Sequence, residues 1–129
     1  MADLGDSFML PKQGQDTEPL WVLITKSNPA SGEAIMVNIT TQRPHSDSTT
    51  ILQRGDHPFI QKPSVVFYAD ARLVPVSLLD KAIQSGSYWS HAPLEANVLA
   101  RIQAGITQSP MTPKKIKTAY ADAVAVNLM

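Results

Sequence analysis

Apolar positions fall in short dense runs up to about residue 76 and recur every four residues after it. Leu20-Trp-Val-Leu-Ile-Thr25 is rich in β formers and predicts a strand buried on both faces. Ala34-Ile-Met-Val-Asn-Ile-Thr40 predicts a second, with Ile35, Val37 and Ile39 on one face and Met36 and Asn38 on the other. The polar segment 26–33, punctuated by Asn-Pro and Ser-Gly, would join them as a long-looped hairpin. A polar loop over 41–49 leads to a short strand over 50–53, and the loop 54–63 leads to Ser64-Val-Val-Phe-Tyr68. The chain then passes Ala69-Asp-Ala71 to Arg72-Leu-Val-Pro-Val76, where Pro75 cannot donate to a ladder and so marks an edge or an end.

Beyond this point the period becomes helical. Ser77, with Asp80 three residues on, is a loose capping-box pattern for a helix over 78–84 that Gly86 stops. Pro93 and Glu95 open a second helix, with Leu94, Val98, Ile102 and Ile106 as a single buried stripe. Thr112-Pro113 reads as a cap and first-turn proline for a third, striped by Ile116, Tyr120 and Val124. Residues 1–18 carry two apolar pairs without a period. They are expected to be a flexible N-terminal arm or an edge cover, with Phe8-Met-Leu10 as its docking segment. Residues 19–129 then make one domain. Five to six strands with two or three helices after them is an α+β arrangement, and a small β-barrel is its simplest closure.

Composition narrows the chemistry. The 129 residues are 43% hydrophobic and 17% charged, which suits a folded domain rather than a disordered chain. Eleven basic residues balance eleven acidic ones, which argues against a strong, sequence-blind grip on nucleic acid through overall charge but leaves local patches open. With no cysteine, disulfides, Cys-ligated zinc and thiol catalysis are all excluded. Met1-Ala-Asp-Leu-Gly-Asp6 has neither the basic start nor the apolar core of a secretory signal. No apolar run approaches the roughly 20 residues of a membrane span. The expectation is a soluble, cytoplasmic protein that does not engage the membrane.

Three stretches resemble the PemK/MazF-like superfamily. Val37-Asn-Ile-Thr-Thr41 is similar to the family's strand ending in a hydroxyl pair, and Ser64-Val-Val-Phe-Tyr-Ala-Asp-Ala-Arg72 to its serine-led strand running into a turn with Asp and Arg. Leu73 to Ile83 resembles its strand-to-helix exit, so the likeness spans about residues 20–106. The resemblance implies a compact SH3-like (PemK-like) barrel, and a toxin-type protein that cuts or binds RNA without a metal or other cofactor. It also implies a homodimer paired with an antitoxin protein. Gly55-Asp-His-Pro-Phe59 departs from the common toxins and indicates a divergent branch. Family nucleases present an arginine and an acid from the strand corresponding to 64–69. Those positions hold Phe67 and Ala69 here, and the family's Arg-Pro in the first interstrand loop has its counterpart only one strand later, at Arg43-Pro44.

Metal-independent RNA cleavage needs proton-transfer groups and a cation on the phosphate. His57 is the candidate for proton transfer, because an unperturbed imidazole titrates near neutral pH. Arg54 and Arg43 are the candidates for the phosphate, since a guanidinium can hold two oxygens at once. Asp56 would orient the imidazole, and Thr40, Thr41 and Ser64 would supply hydroxyl contacts. The competing reading makes Asp56-His57-Pro58 a structural turn, its imidazole bonded to a nearby carbonyl, with Ser64 capping a strand. His45 and His91 are too scattered to form a metal site with His57. Tyr88-Trp89, in a Ser/Gly-rich turn, either offers Trp89 to a base or a partner or closes the barrel end. The Lys114-Lys115-x-Lys117 cluster reads as a solvated face rather than an RNA contact. A rival to the RNA function is a non-catalytic protein-interaction module on the same barrel, favoured by Phe67, Ala69 and the neutral charge. A structural component of a phage or mobile element is a third alternative.

Overall fold

The computed structural model describes residues 1–10 and 19–129. Its elements are β1 (Ser7–Met9), β2 (Leu20–Leu23), β3 (Glu33–Thr41), β4 (Ile51–Leu52), β5 (Ser64–Pro75), α1 (Val76–Gln84), β6 (Trp89–His91), α2 (Ala96–Gln108) and α3 (Lys114–Ala125). The strands form one antiparallel sheet in the order β4-β5-β3-β2-β1-β6, curled into a half-barrel. The fold is α+β. Among the described residues no helix is long and apolar enough to cross a membrane.

The expected hairpin is formed by β2 and β3, with Leu20 opposite Ile39 and Val22 opposite Val37. Because side chains alternate along a strand, this pair feeds two cores. On the inner face Leu20, Val22, Ile35, Val37 and Ile39 pack with Val66 and Tyr68 of β5 and with the Val98–Ile102–Ile106 stripe of α2, while Ile116 and Tyr120 of α3 close the same cluster. On the outer face Trp21, Leu23, Ala34 and Met36 pack with Phe8 and with Val76 and Leu79 of α1. Apolar surface on both sides of β2 explains why its sequence shows no alternation.

Tyr68 ties the inner core to α2. Its hydroxyl donates to the Ile102 carbonyl at 2.8 Å and lies 2.7 Å from Thr50 Oγ1. Burial lifts its pKa to about 12, against the lowering effect of the Thr50 bond. This close approach is possible because α2 carries Gly105 where it crosses the pair: a Cβ there would overlap both the Tyr68 and the Thr50 oxygens.

Several elements differ from expectation. β5 is one strand from Ser64 to Pro75 rather than separate segments, and it is irregular in the middle. Met36 pairs with Arg72 and Asn38 with Phe67, so two steps along β3 are matched by five along β5. The three additional residues bulge out and bend the strand. Pro75 does end the strand, and α1 begins directly at Val76 instead of at 78. A proline has no N–H to lose at a helix start, so Pro75 takes the N-cap position with φ −65°, and Ser77 lies inside the first turn. Trp89–His91 is a strand and not a turn, so β6 stands between α1 and α2 rather than all helices following all strands. It pairs with Ser7–Met9, which makes that part of the expected arm a strand held between β2 and β6. Residues 11–18 of that arm lie outside the described residues. In α3 the buried stripe moves from Val124, which is 52% exposed, to Ala123. Thr112 does not cap this helix: its buried Oγ1 has no hydrogen-bond partner among the described residues, and Pro113 holds the N-cap position.

Candidate functional site

The segment after β4 crosses from one edge of the curled sheet to the other, and His57 fastens it there. The side chain is 3% exposed. Nδ1 accepts the Phe59 N–H at 3.0 Å, which leaves Nε2 as the protonated nitrogen, donating to the Ala92 carbonyl at 2.6 Å. Ser7 of β1, itself buried, lies 3.4 Å from the same Nε2 and donates its own hydroxyl to Ala92 O. The imidazole thus joins the β4–β5 loop to both β1 and the exit of β6. Burial, and secondarily the neighbouring His91 ring at 4.9 Å, lowers its pKa, and the Ala92 bond opposes them only in part. A base role would require His57 to give up one of these bonds. Asp56 does not orient it. Its carboxylate accepts the Gln53 N–H at 2.8 Å and meets Arg101 Nη1 of α2 at 3.4 Å.

The candidate residues divide between two concavities. Arg54, Asp56 and His57 border one of about 550 Å³. Thr40, Thr41, Arg43 and Ser64 border another of about 420 Å³, and Ile60 and Gln61 form the wall shared by both. Arg43 is therefore not gathered with Arg54 and His57 into one depression. Trp89, 50% exposed, lies on the outermost strand and lines neither. Ser64 Oγ donates to the Lys62 carbonyl at 2.9 Å, holding the entry to β5.

The second concavity contains residues that the sequence did not single out. Lys62 stands on its border with Arg43, and Asn38, Phe67 and Asp70 on its walls. Phe67 lies opposite Asn38 in the ladder, on the same sheet face, and is 45% exposed where its neighbours Val66 and Tyr68 are buried. Asn38 is buried and donates Nδ2–H to Asp70 Oδ2 at 2.7 Å. Arg72 Nη2 donates to Asp70 Oδ1 at 3.0 Å while its guanidinium lies 4.9 Å over the Trp21 ring. The bulge of β5 is what brings Asp70 to this wall. Alternation along Ser64–Tyr68 does not flag Phe67, which shares its face with the apolar and buried Val65; the polar Asn38 within an apolar strand is the visible signal.

The groove continues past Arg43 and Phe67. Thr40, Thr41, Arg43 and Phe67 also line an adjoining depression of about 600 Å³ that runs on to His45, Asp47 and Met111. Its floor is braced by Asp47, which accepts from Ser109 Oγ and from the Thr49 hydroxyl. Burial alone would raise the Asp47 pKa, but these hydrogen bonds outweigh it and hold the carboxyl below its usual value. Among the described residues no group of His, Asp or Glu is arranged to hold a metal ion. Together the two depressions form a track bordered by cations and hydroxyls, with an exposed aromatic ring at its centre. Such a track can hold a backbone phosphate and a flat ring side by side. No family model matches this chain, and no curated protein matches it.

Proposed function

We propose that this protein binds single-stranded RNA along the groove between β3, β5 and the 59–64 segment, on a PemK/MazF-like barrel. The observation that carries the reading is Phe67, an exposed ring on the sheet face that lines the same concavity as Arg43 and Lys62. Single strands are held by stacking bases on aromatic rings while cations follow the phosphates, and such binding needs no large net charge. Thr40 and Thr41 add hydroxyl donors at the same border. The family resemblance supports this choice of ligand. Arg72, opposite Met36, takes the ladder place that an unbulged strand would give residue 69, and Asp70 precedes it within the bulge. The reading places RNA binding here without His57-dependent cleavage, since both imidazole nitrogens are engaged in closing the barrel. In a toxin–antitoxin pairing in the cytoplasm, the antitoxin would compete for this groove.

Fluorescence anisotropy with a labelled uridine octamer tests the proposal. Wild type should bind with a salt dependence of about −1.4 in log K against log salt, two phosphate contacts at roughly −0.7 each. Arg43→Ala/Lys62→Ala should flatten that slope and weaken binding at least tenfold. Absence of binding at low salt, or binding indifferent to the double substitution, would refute it. The rival protein-interaction reading is favoured by Trp89, exposed on an edge strand whose outer side is unpaired among the described residues. Loss of a partner protein on Trp89→Ala, with the groove variants unaffected, would favour it instead.

A further inference from the structure

On the assumption that the groove holds single-stranded RNA, we infer that its Asn38–Phe67–Asp70 wall is a guanine-selective base pocket. Asp70 is not a free surface carboxylate. Its side chain is 28% exposed, and each oxygen accepts from a different donor, Asn38 Nδ2 on Oδ2 and Arg72 Nη2 on Oδ1. An ionised carboxylate accepts about four hydrogen bonds, so each oxygen keeps acceptor capacity for a ligand in the groove. Asn38 spends an amide N–H on Asp70, which leaves its carbonyl oxygen as a further acceptor on the same wall. The wall therefore combines two carboxylate oxygens and an amide oxygen. Beside it stands Phe67, the ladder partner of Asn38, with its ring free to stack.

Among the four bases only guanine presents two adjacent N–H donors on its Watson–Crick edge, N1–H and N2–H. A carboxylate pairs with both at once. Uracil offers one N–H between two carbonyls, which the Asp70 oxygens would repel. Adenine and cytosine each set an acceptor nitrogen beside their amino group, against the same negative charge. Discrimination by a buried or half-buried polar wall comes mainly from the groups the wrong base leaves unpaired. Phe67 stacks on any base and supplies affinity without choice, and Asp70 supplies the choice.

The test uses the full chain and uridine octamers carrying one central guanine, hypoxanthine or adenine, beside the all-uridine strand. The guanine strand should bind roughly 10- to 100-fold tighter than the all-uridine one, the range expected for hydrogen bonds to a charged group. Hypoxanthine, which lacks the 2-amino donor, should lose most of that gain. Asp70→Asn should erase the guanine preference, so that the guanine and all-uridine strands bind the variant with equal affinity. Guanosine monophosphate should compete with the guanine strand more weakly than that strand itself does. Competition as strong as the strand's would assign the pocket to a free nucleotide instead and overturn the RNA form of the inference. Equal binding of all four strands would overturn guanine selectivity while leaving RNA binding intact. Binding of none would remove both.

Discussion

Replacing Gly105 with alanine tests how tightly α2 is set against the sheet. On an exposed helix this change stabilises by about 1 kcal/mol, because alanine is the better helix former. Here the added Cβ would overlap the Tyr68 hydroxyl and Thr50 Oγ1, so both must move or the helix must shift. Moving the ring gives up the hydrogen bonds to Ile102 O and Thr50, each contributing about 1 kcal/mol net. Forcing a methyl group into packed surroundings adds about 1–3 kcal/mol. Set against the helix gain, the expected loss is about 2–4 kcal/mol. At roughly 3–5 °C per kcal/mol for a chain of this size, that lowers Tm by about 6–20 °C. Urea and thermal unfolding followed by circular dichroism measure both quantities. Tyr68→Phe removes the oxygen that the Cβ meets first, but the ring Cζ and Thr50 Oγ1 still crowd the position. The double variant should therefore be less destabilised than the sum of the two single changes, by at least about 0.5 kcal/mol. A Gly105→Ala protein with unchanged or higher Tm would refute the packing described for α2.

His57 gives a pH signature with a definite sign. Its pKa is lowered in the folded protein from the ordinary 6.5, burial first among the causes, so the unfolded chain takes up a proton that the folded one does not. Stability should hold above about pH 7, fall as pH drops below 6.5, and level off below the folded pKa. Urea unfolding at pH 7.5 and 5.5 should show this loss in wild type. His57→Ala should lose the His57 part of that pH dependence while costing about 2–4 kcal/mol at pH 7.5, through the unpaired Phe59 N–H and the cavity left by the buried ring, the Ala92 carbonyl keeping its bond from Ser7. Equal pH dependence in the two proteins would contradict the clasp. Phe67→Ala, at an exposed position, should change stability by less than about 0.5 kcal/mol yet weaken RNA binding by the roughly 1–3 kcal/mol of a base stack. A large stability loss would make Phe67 a core residue instead.

The elements legible in the sequence are those whose burial repeats. β2, β3 and the Val98–Ile102–Ile106 stripe of α2 each place enough apolar side chains in phase to declare a face. β1 and β6 have three residues each and carry Ser7, Ser90 and His91, so their strand character arises from pairing across the fold, β1 with β2 and β6, and β6 with β1. No local pattern encodes that. The same distance in sequence hid the role of His57, whose partners Ser7 and Ala92 are 50 and 35 residues away. Turn chemistry marked the residue correctly as special but left open whether its imidazole faced a ligand or the core. The candidate groove is half visible: the hydroxyls of Thr40, Thr41 and Ser64 and the guanidinium of Arg43 declare their chemistry in the sequence. Asp70 was out of phase because the bulge in β5 shifts everything beyond Phe67 by three positions.

Amide chemical-shift mapping with a uridine-rich octamer tests the proposed RNA groove most directly. Titration should move the resonances of Thr40, Thr41, Gln61, Lys62 and Phe67 and leave those of β6 and the Arg54–Gly55 turn in place. Shifts confined to Trp89 and its neighbours, or to the Arg54 side of the Ile60–Gln61 wall, would contradict the proposal, as would a spectrum unchanged at millimolar RNA.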